Sequence, residues 1–314
     1  MGRSGTTWLG SIMNSHPGIA YRFEATDRLR DHPRIREINE ALERGDRSST
    51  EVLYRNLLPL HPMLDKAPFF KKDHSSLLMR QKLWVFCRAV KPFGALYEAL
   101  YTPKYGTALA FKEINGDRLM RDLLKETSIK ILYIVRSPWA VVASTMRGQA
   151  ERLMPTGRFA VLDSLLEKHD ENLANQYAGK IESLNDFQKN ALLWRMDGEK
   201  GVNAIDGNPN AMLMFCENLC RTPLEQSQEV FAHFGIDMPP NTEDFISASS
   251  SSEDSARREH GEAVVNDYFS VFRDPMQSMN KWRTQLTEQE QAEITEVVGD
   301  SEVFQRCASL GRWV

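Results

Sequence analysis

The residues best suited to hold an anion lie near the start of the chain, in the stretch GRSGTTW at residues 2–8. Two glycines permit a tight turn, and two threonines bring hydroxyl and backbone N–H groups to its end. The apolar spacing that follows predicts a helix that ends before Pro17, because proline cannot continue the helical hydrogen-bond ladder. A helix N-terminus attracts negative charge, so the stretch predicts an anion-binding loop. The alternative is a solvated turn before an ordinary surface helix.

A second candidate for anion binding lies in YIVRSPWAVVASTMRG, at residues 133–148. Arg136 ends an apolar run that is typical of a strand, and an arginine there can bind a phosphate through two N–H groups. Pro138 suits the first turn of the next helix, where Ser144 adds a hydroxyl two turns later. Ordinary structural roles are the alternative: an ion pair at the rim for Arg136, and a hydrogen bond within its own helix for Ser144.

Strands and helices alternate around these two motifs. Apolar runs that predict strands occupy residues 108–114, 129–135 and 211–215. Helical spacing occupies residues 76–101, 117–126, 159–203 and 287–298. A strand, a helix and a second strand in this order predict a parallel sheet with a right-handed crossover. We therefore expect an α/β fold of three layers, with a central parallel sheet and helical insertions.

We expect residues 1–314 to form one domain, with a flexible loop at residues 247–267. The loop prediction rests on SASSSSEDSARREHGE, a polar stretch of low complexity that can bury little apolar surface. An anion-binding loop of this kind normally follows a buried strand, and only Met1 precedes Gly2. The sequence therefore predicts a first strand upstream of residue 1.

Composition argues against several classes of function. The formal net charge is -4 and the isoelectric point is about 6.0, so no overall basic field is available for nucleic acid. The cysteines, which lack the paired spacing of a metal site, are Cys87, Cys216, Cys220 and Cys307. No apolar run approaches the roughly 18 residues of a membrane span, and no signal sequence is visible. As written, the sequence predicts a cytoplasmic protein that requires no metal, whereas an upstream anchor would place it in a secretory lumen.

The order of residues in GRSGTTW distinguishes two classes of anion-binding enzyme. A P-loop kinase or nucleotide hydrolase needs a lysine directly after the second glycine, whereas in this chain Thr6 follows Gly5 and the basic residue is Arg3. The motif instead resembles the 5'-phosphosulfate loop of sulfotransferases that use 3'-phosphoadenylyl sulfate (PAPS). Arg136 and Ser144 occupy the positions of the 3'-phosphate motif of that family.

The resemblance covers most of the chain and is greatest to bacterial, carbohydrate and tyrosyl-protein sulfotransferases. Residues 212–236 and 268–290 are similar to later parts of the family, although Cys216 and Asn218 stand where tyrosine and aspartate are usual. The resemblance implies a P-loop-like sulfotransferase fold and PAPS as the co-substrate. The residues that it implies for PAPS binding are Arg3, Ser4, Gly5, Thr6, Thr7, Trp8, Arg136 and Ser144.

Sulfuryl transfer needs a base for the acceptor proton and cations for the charge on the leaving oxygen. Cytosolic phenol and steroid sulfotransferases use a histidine after a Lys-Thr motif, but the comparable stretch FKEING contains no histidine. The resemblance to tyrosyl-protein and carbohydrate enzymes implies Glu24 as the base, with Arg3 and Lys112 as the other catalytic residues; Glu113 is the second candidate base. Ordinary ion pairs are the alternative for Glu24 and Lys112. The arginines available to Glu24 are Arg22 and Arg28.

The expected acceptor is a hydroxyl group on a sugar, a tyrosyl or other phenol, or a small alcohol. Neither a nucleic acid nor a membrane is expected as a partner. Two other functions remain open at this point, namely a protein that binds PAPS without turnover and a divergent P-loop kinase.

Overall fold

The computed structural model describes residues 2–45, 48–75, 79–114, 116–251, 270–311 and 313. Their contacts divide the chain into two compact units. The first unit comprises Met1–Gly5, Leu132–Thr222 and Pro275–Val314, and the second comprises Thr6–Ile131 and Pro223–Asp274. The expectation of one domain over residues 1–314 stays a prediction.

Helices outnumber strands along the described residues. The elements as far as the second strand are α1 Thr6–Ser15, β1 Ile19–Phe23, α2 Ala25–Arg28, α3 Pro33–Glu43, α4 Ser49–Leu57, α5 Arg80–Ala89, α6 Gly94–Tyr101 and β2 Ala108–Lys112. They are followed by α7 Asp117–Glu126, β3 Ile131–Val135, α8 Pro138–Ala150, α9 Leu162–Glu167, α10 Glu171–Tyr177, α11 Asp186–Ile205, β4 Ala211–Phe215 and α12 Cys216–Arg221. The remaining helices are α13 Pro223–Phe234, α14 Pro240–Ser249, α15 Pro275–Asn280, α16 Trp282–Gln285, α17 Glu288–Val298 and α18 Glu302–Gly311.

Strands β1 and β2 of the second unit form a parallel ladder, in which Ile19 lies opposite Ala108 and Phe23 opposite Lys112. The sequence predicts one parallel sheet that contains β2 and β3, whereas in the described residues β2 pairs with β1 and β3 pairs with β4. Two strands joined by a helix run parallel, but strands that follow each other in sequence are neighbours only about two-thirds of the time. The order of elements therefore predicted the strands without predicting their partners.

Helix α1 packs on β1 at Gly10, where a Cβ atom would lie 2.1 Å from the hydroxyl oxygen of Tyr21. This close approach requires glycine, although glycine costs about 1 kcal/mol relative to alanine inside a helix. At the end of α1, the buried ammonium group of Lys72 donates hydrogen bonds to the carbonyl oxygens of Asn14 and His16. A cation at this position offsets the negative end of the helix dipole.

The core of the second unit forms where α2, α3, α4 and α7 meet. Its buried members are Ala25, Leu29, Ile35, Ile38, Leu42, Leu53, Leu57, Leu64, Leu119 and Leu123. These residues recur at helical spacing in α3 and α4, so the apolar stripe of each helix faces this core. This packing holds α2, α3 and α4, which follow β1 in the chain, against α7.

In the first unit, helices α8 and α11 pack against each other. Helix α8 begins at Pro138, in the first turn as predicted. Its Trp139 stacks on Trp282 with ring centroids 5.3 Å apart. Helix α11 starts with a capping box, in which Asn185 and Gln188 each accept a hydrogen bond from the other residue's backbone N–H.

Most predicted elements are present, and the α/β fold class is confirmed. The predicted helix at residues 159–203 is broken into several pieces, of which α11 is the longest. Of the predicted loop at residues 247–267, the first three residues belong to α14 and residues 252–267 lie outside the described residues. Across the described ranges, no helix combines the length and apolar character that crossing a membrane requires.

Candidate functional site

Arg3 of the first predicted anion-binding motif and Arg136 and Ser144 of the second lie together in the first unit. Arg3 Nε donates a hydrogen bond of 2.9 Å to Ser144 Oγ in α8. Arg136 Nη1 donates to the backbone carbonyl of Arg3 at 3.2 Å. Residues separated by more than 130 positions in the chain are thereby brought into one cluster. In this cluster the contact of Ser144 is with Arg3, and the contacts of Arg136 are with backbone carbonyls.

The backbone of the loop at residues 2–8 is left-handed at two positions. Arg3 has φ 60° and Gly5 has φ 81°, so both residues lie in the left-handed region. Glycine adopts this region freely, whereas a residue with a side chain is strained in it and is found there mostly at constrained sites. Ser4, between them, is fully buried.

Arg136 is held at the end of β3 by several neighbours. Its Nη2 donates to the carbonyl of Ser278 at 2.7 Å, and its own carbonyl accepts from Trp194 Nε1 at 3.0 Å. The next residue, Ser137, donates its backbone N–H to Glu217 Oε1 at 3.0 Å. These hydrogen bonds hold Arg136 in place between the end of β3 and the start of α8.

Two buried donors at this position have no hydrogen-bond partner among the described residues: Arg136 Nε and Ser137 Oγ. A buried donor left unsatisfied costs about 1–3 kcal/mol, so each of these groups calls for an acceptor that a water, an ion or a ligand can supply. A phosphate group carries several acceptor oxygens and a negative charge. The side chains at this position fit that group.

Thr6, Thr7 and Trp8 form the first turn of α1 in the second unit. This turn contains no acidic residue, so nothing in it opposes the positive end of the helix dipole. Trp8 Nε1 donates a hydrogen bond of 2.9 Å to Ser249 Oγ at the end of α14. This hydrogen bond restrains the orientation of the Trp8 indole ring.

Glu24 and Lys112 form a buried ion pair at the ends of the two paired strands. The Glu24 backbone N–H donates to the Lys112 carbonyl at 2.7 Å, and Lys112 Nζ contacts Glu24 Oε1. Arg28 Nη2 lies 3.5 Å from the other carboxylate oxygen. Glu24 has φ 51°, one of four positive values among the described residues that are not glycine. Burial lowers the pKa of Lys112, and the adjacent Glu24 opposes that effect.

Glu113, the second candidate base, has a different environment. Its Oε1 accepts from the Thr26 backbone N–H at 3.0 Å, and its Oε2 accepts from Thr26 Oγ1 at 2.8 Å. Burial raises the pKa of Glu113 to about 7, against the opposing effect of these hydrogen bonds. Both oxygens are engaged in holding the start of α2, which is a structural role.

Several residues of these clusters were not predicted from the sequence. Ser278 contributes a backbone carbonyl, which any residue type provides, so no sequence signal could identify it. Ser137 lies inside the quoted motif, directly after Arg136, and its polar side chain in a buried turn was a signal that could have been used. Arg28 was considered only as a surface partner of Glu24, although its Nε is buried and has no partner among the described residues.

Of the comparisons with known proteins, the family match is the one that covers this chain with a defined domain family. The search of curated proteins found no match. Among solved structures, the Sulfotransferase Domain from the Curacin Biosynthetic Pathway is similar, with 13% identity, a TM-score of 0.46, and coverage of 95% of this chain and 94% of that chain. The family model described as Sulfotransferase domain matches residues 1–308. Because that match spans nearly the whole sequence, the chain belongs to the sulfotransferase domain family.

Proposed function

We propose that the protein transfers the sulfuryl group of PAPS to a hydroxyl acceptor. The observation that carries this proposal is the link between Arg3, Ser144 and Arg136, since it joins the loop suited to a phosphosulfate to the motif suited to a 3'-phosphate. The two unsatisfied donors at Arg136 and Ser137 support a phosphate ligand at that motif. Membership of the family supports the same reaction class.

In the proposed mechanism the loop residues bind the phosphosulfate and stabilise the charge of the leaving group. Arg3, Thr6 and Thr7 are the side chains assigned to this task, together with the backbone N–H groups of Ser4 and Gly5. Charge that develops on the bridging oxygen is stabilised by such donors more strongly than the ground state is. Arg136, Ser137 and Ser144 are assigned to the 3'-phosphate.

Glu24 is the proposed general base. The acceptor oxygen bonds to sulfur as the bond from sulfur to the phosphate oxygen breaks, and the acceptor proton passes to the Glu24 carboxylate. The products are a sulfate ester and adenosine 3',5'-bisphosphate. The left-handed backbone of Glu24 supports this role, because strained residues that are not glycine cluster at functional sites. Lys112 is assigned to orienting the carboxylate and stabilising the transferred group.

The test is to incubate the protein with PAPS and a panel of sugars, phenols and alcohols and to measure release of adenosine 3',5'-bisphosphate. We expect release that depends on the acceptor. If the nucleotide is bound and never turned over with any acceptor, the protein is a binding protein instead. A larger thermal stabilisation by ATP with Mg²⁺ than by adenosine 3',5'-bisphosphate would point to the kinase alternative.

A further inference from the structure

Exposed apolar side chains are concentrated on the hairpin that α5 and α6 form in the second unit. The two helices pack against each other and are joined by a short 3-10 turn at Lys91–Phe93. Among the described residues, seven of the twelve exposed large hydrophobic side chains lie in residues 79–100. Single apolar residues are common on protein surfaces, whereas a contiguous group of them is characteristic of an interaction site.

Five of these side chains form what we call the apolar patch: Phe86, Val90, Phe93, Leu96 and Leu100. Phe86 of α5 contacts Phe93 with ring centroids 5.0 Å apart, and the Val90 backbone N–H donates to the Phe86 carbonyl. Leu96 and Leu100 follow Phe93 by three and seven residues, which is the spacing of one face of a helix. Phe86 is 46% exposed, Leu96 44% and Leu100 52%, so the patch is continuous across the hairpin and open to solvent.

The opposite face of the hairpin is packed against its own unit. Cys87, Tyr97 and Tyr101 are buried in one cluster with Leu60. The Tyr97 hydroxyl also donates a hydrogen bond of 2.5 Å to the buried carboxylate of Asp65. A helix that is apolar on both faces is normally covered on both. The inner face anchors the hairpin, and the apolar patch on the outer face is therefore suited to a partner.

The charges of the hairpin are mainly positive. Its sequence contains the basic residues Lys82, Arg88 and Lys91 between the buried Arg80 and the end of α6, with Glu98 as the acidic residue. The Glu98 carboxylate accepts two hydrogen bonds from Arg34, at 3.0 and 2.7 Å, so its charge is balanced inside the unit. The chain as a whole has a formal net charge of -4. The hairpin therefore differs in sign from the rest of the protein.

Two of these cations lie close to the apolar patch. Lys82 is exposed and precedes Phe86 by four residues, so both lie on the same side of α5. The Arg88 guanidinium carbon lies 4.6 Å from the centroid of Trp84, in the preceding turn of the same helix. Aromatic and aliphatic side chains bordered by lysine and arginine are typical of helices that lie in the interface of a membrane.

Charge distinguishes such a membrane surface from a second copy of the chain. In a twofold symmetric dimer the same patch is contributed by both copies, so the interface would contain Lys82 and Arg88 twice. Like charges brought together in one interface repel each other. Anionic lipid headgroups instead attract both cations, while the boundary of the acyl chains accepts the apolar side chains.

We propose that the apolar patch, together with Lys82 and Arg88, docks the protein on the surface of a membrane that contains anionic lipids. This contact is different from a membrane span, for which the described ranges contain no suitable helix. The composition of the whole chain did not predict a membrane partner, because the net charge averages the positive hairpin with a larger number of acidic residues elsewhere.

The experiment is sedimentation of the full chain with vesicles. One preparation is phosphatidylcholine alone, and the other contains about 30 mol% phosphatidylserine. We expect binding to the anionic vesicles to be about tenfold or more tighter, with an advantage that shrinks as salt is raised. Absence of binding to the anionic vesicles, or equal binding to both preparations, would overturn the proposal.

Apolar variants test whether the patch is responsible. Phe86→Ser and Leu100→Ser should each weaken vesicle binding severalfold, because each removes an apolar side chain from the membrane interface. Both positions are exposed, and an unchanged melting temperature shows that a variant keeps its fold. Leu310→Ser is the matched control, since Leu310 is equally exposed, at 51%, on α18. Vesicle binding that is unchanged in both patch variants would contradict the proposal.

Charge variants test the second part of the site. Lys82→Gln should weaken binding to the anionic vesicles about fivefold, the size of effect expected for one lysine at an anionic surface. Lys125→Gln, on exposed Lys125 paired with Glu126, is the control and should leave binding unchanged. Equal effects of the two variants would show that the hairpin charges are not specific to the contact.

Light scattering in the absence of vesicles tests the alternative occupant. We expect no dimer whose formation depends on the apolar patch. If the unmodified protein were a dimer and Phe86→Ser made it monomeric, the patch would join two copies of the chain, and the membrane proposal would be wrong.

Discussion

Gly5 lies directly against Cys216: a Cβ atom at position 5 would be 2.8 Å from the Cys216 sulfur. The backbone of Gly5 is also left-handed, with φ 81°. Residue 5 is thus confined to glycine by its neighbour and by its own conformation. The thiol of Cys216 is small and buried, which suits a side chain that lies against the loop.

Replacing Gly5 with alanine should weaken nucleotide binding by about tenfold or more, because the loop must move to accommodate the new methyl group. Thermal shift with adenosine 3',5'-bisphosphate measures the effect. Gly2→Ala is the matched control, since a Cβ at Gly2 meets nothing within 4 Å and should leave the shift nearly unchanged. Normal binding by Gly5→Ala would show that the loop conformation is not needed for the ligand.

Glu24→Gln should lower kcat by about a hundredfold or more, because the amide keeps the size of the side chain but cannot take the acceptor proton. Binding of adenosine 3',5'-bisphosphate should remain close to that of the unmodified protein. Glu113→Gln is the matched control and should retain most activity, since both Glu113 oxygens serve Thr26. If the two variants exchanged these phenotypes, Glu113 would be the base.

Arg3→Ala should mainly lower the rate of transfer, whereas Arg136→Ala should mainly weaken nucleotide binding. Arg3→Ala should lower kcat by about a hundredfold with little change in nucleotide affinity, as expected when a donor to the leaving group is removed. Arg136→Ala should raise the dissociation constant of adenosine 3',5'-bisphosphate about tenfold or more, and kcat should also fall because Arg136 holds the Arg3 carbonyl.

The control for this pair is Arg147→Ala, which removes an arginine of α8 that pairs with Glu151. Arg147→Ala should change neither kcat nor the dissociation constant of adenosine 3',5'-bisphosphate by more than about twofold. Initial rates with PAPS and nucleotide titrations provide the two measurements. Unchanged nucleotide affinity in Arg136→Ala would mean that the 3'-phosphate binds elsewhere.

Glu113 should make stability depend on pH. Its pKa is raised from 4.5 to about 7 in the folded protein, so between these values the folded state binds more protons than the unfolded chain. The free energy of unfolding should therefore fall as pH rises from about 5 to 7, and this contribution should level off above about pH 8.

Urea unfolding at several pH values compares the unmodified protein with Glu113→Gln, which should lack this part of the pH dependence. Glu167→Gln, at an exposed position in α9, is the control and should keep it. Identical pH profiles for the unmodified protein and Glu113→Gln would show that the Glu113 carboxyl is not buried as described.

The sequence predicted those features that depend on local chemistry. Pro17 marked the end of α1, and Pro138 marked the start of α8, because the proline ring restricts the backbone in the same way in any fold. Apolar runs at residues 108–114 and 211–215 predicted strands, and the structure has β2 at Ala108–Lys112 and β4 at Ala211–Phe215. Local signals also predicted that a loop and an arginine-bearing strand end would carry anion-binding groups.

Contacts between distant residues could not be predicted in this way. The carbonyl of Ser278 and the unsatisfied Nε of Arg28 depend on packing, and residue type alone does not reveal them. The left-handed backbone of Arg3 and Glu24 was also unpredicted, since glycine is the residue type that normally signals it. The fold class and the motifs were therefore accessible from sequence, and the geometry of the site was not.

The hydrogen bonds from Lys72 to the end of α1 can form only after Lys72 has been synthesised. His16 leaves the ribosome 56 residues ahead of the lysine that binds its carbonyl. At about 5–20 residues per second this interval is roughly 3–11 s. During synthesis the carbonyls of Asn14 and His16 therefore gain this donor only after β1, α2, α3 and α4 have been made.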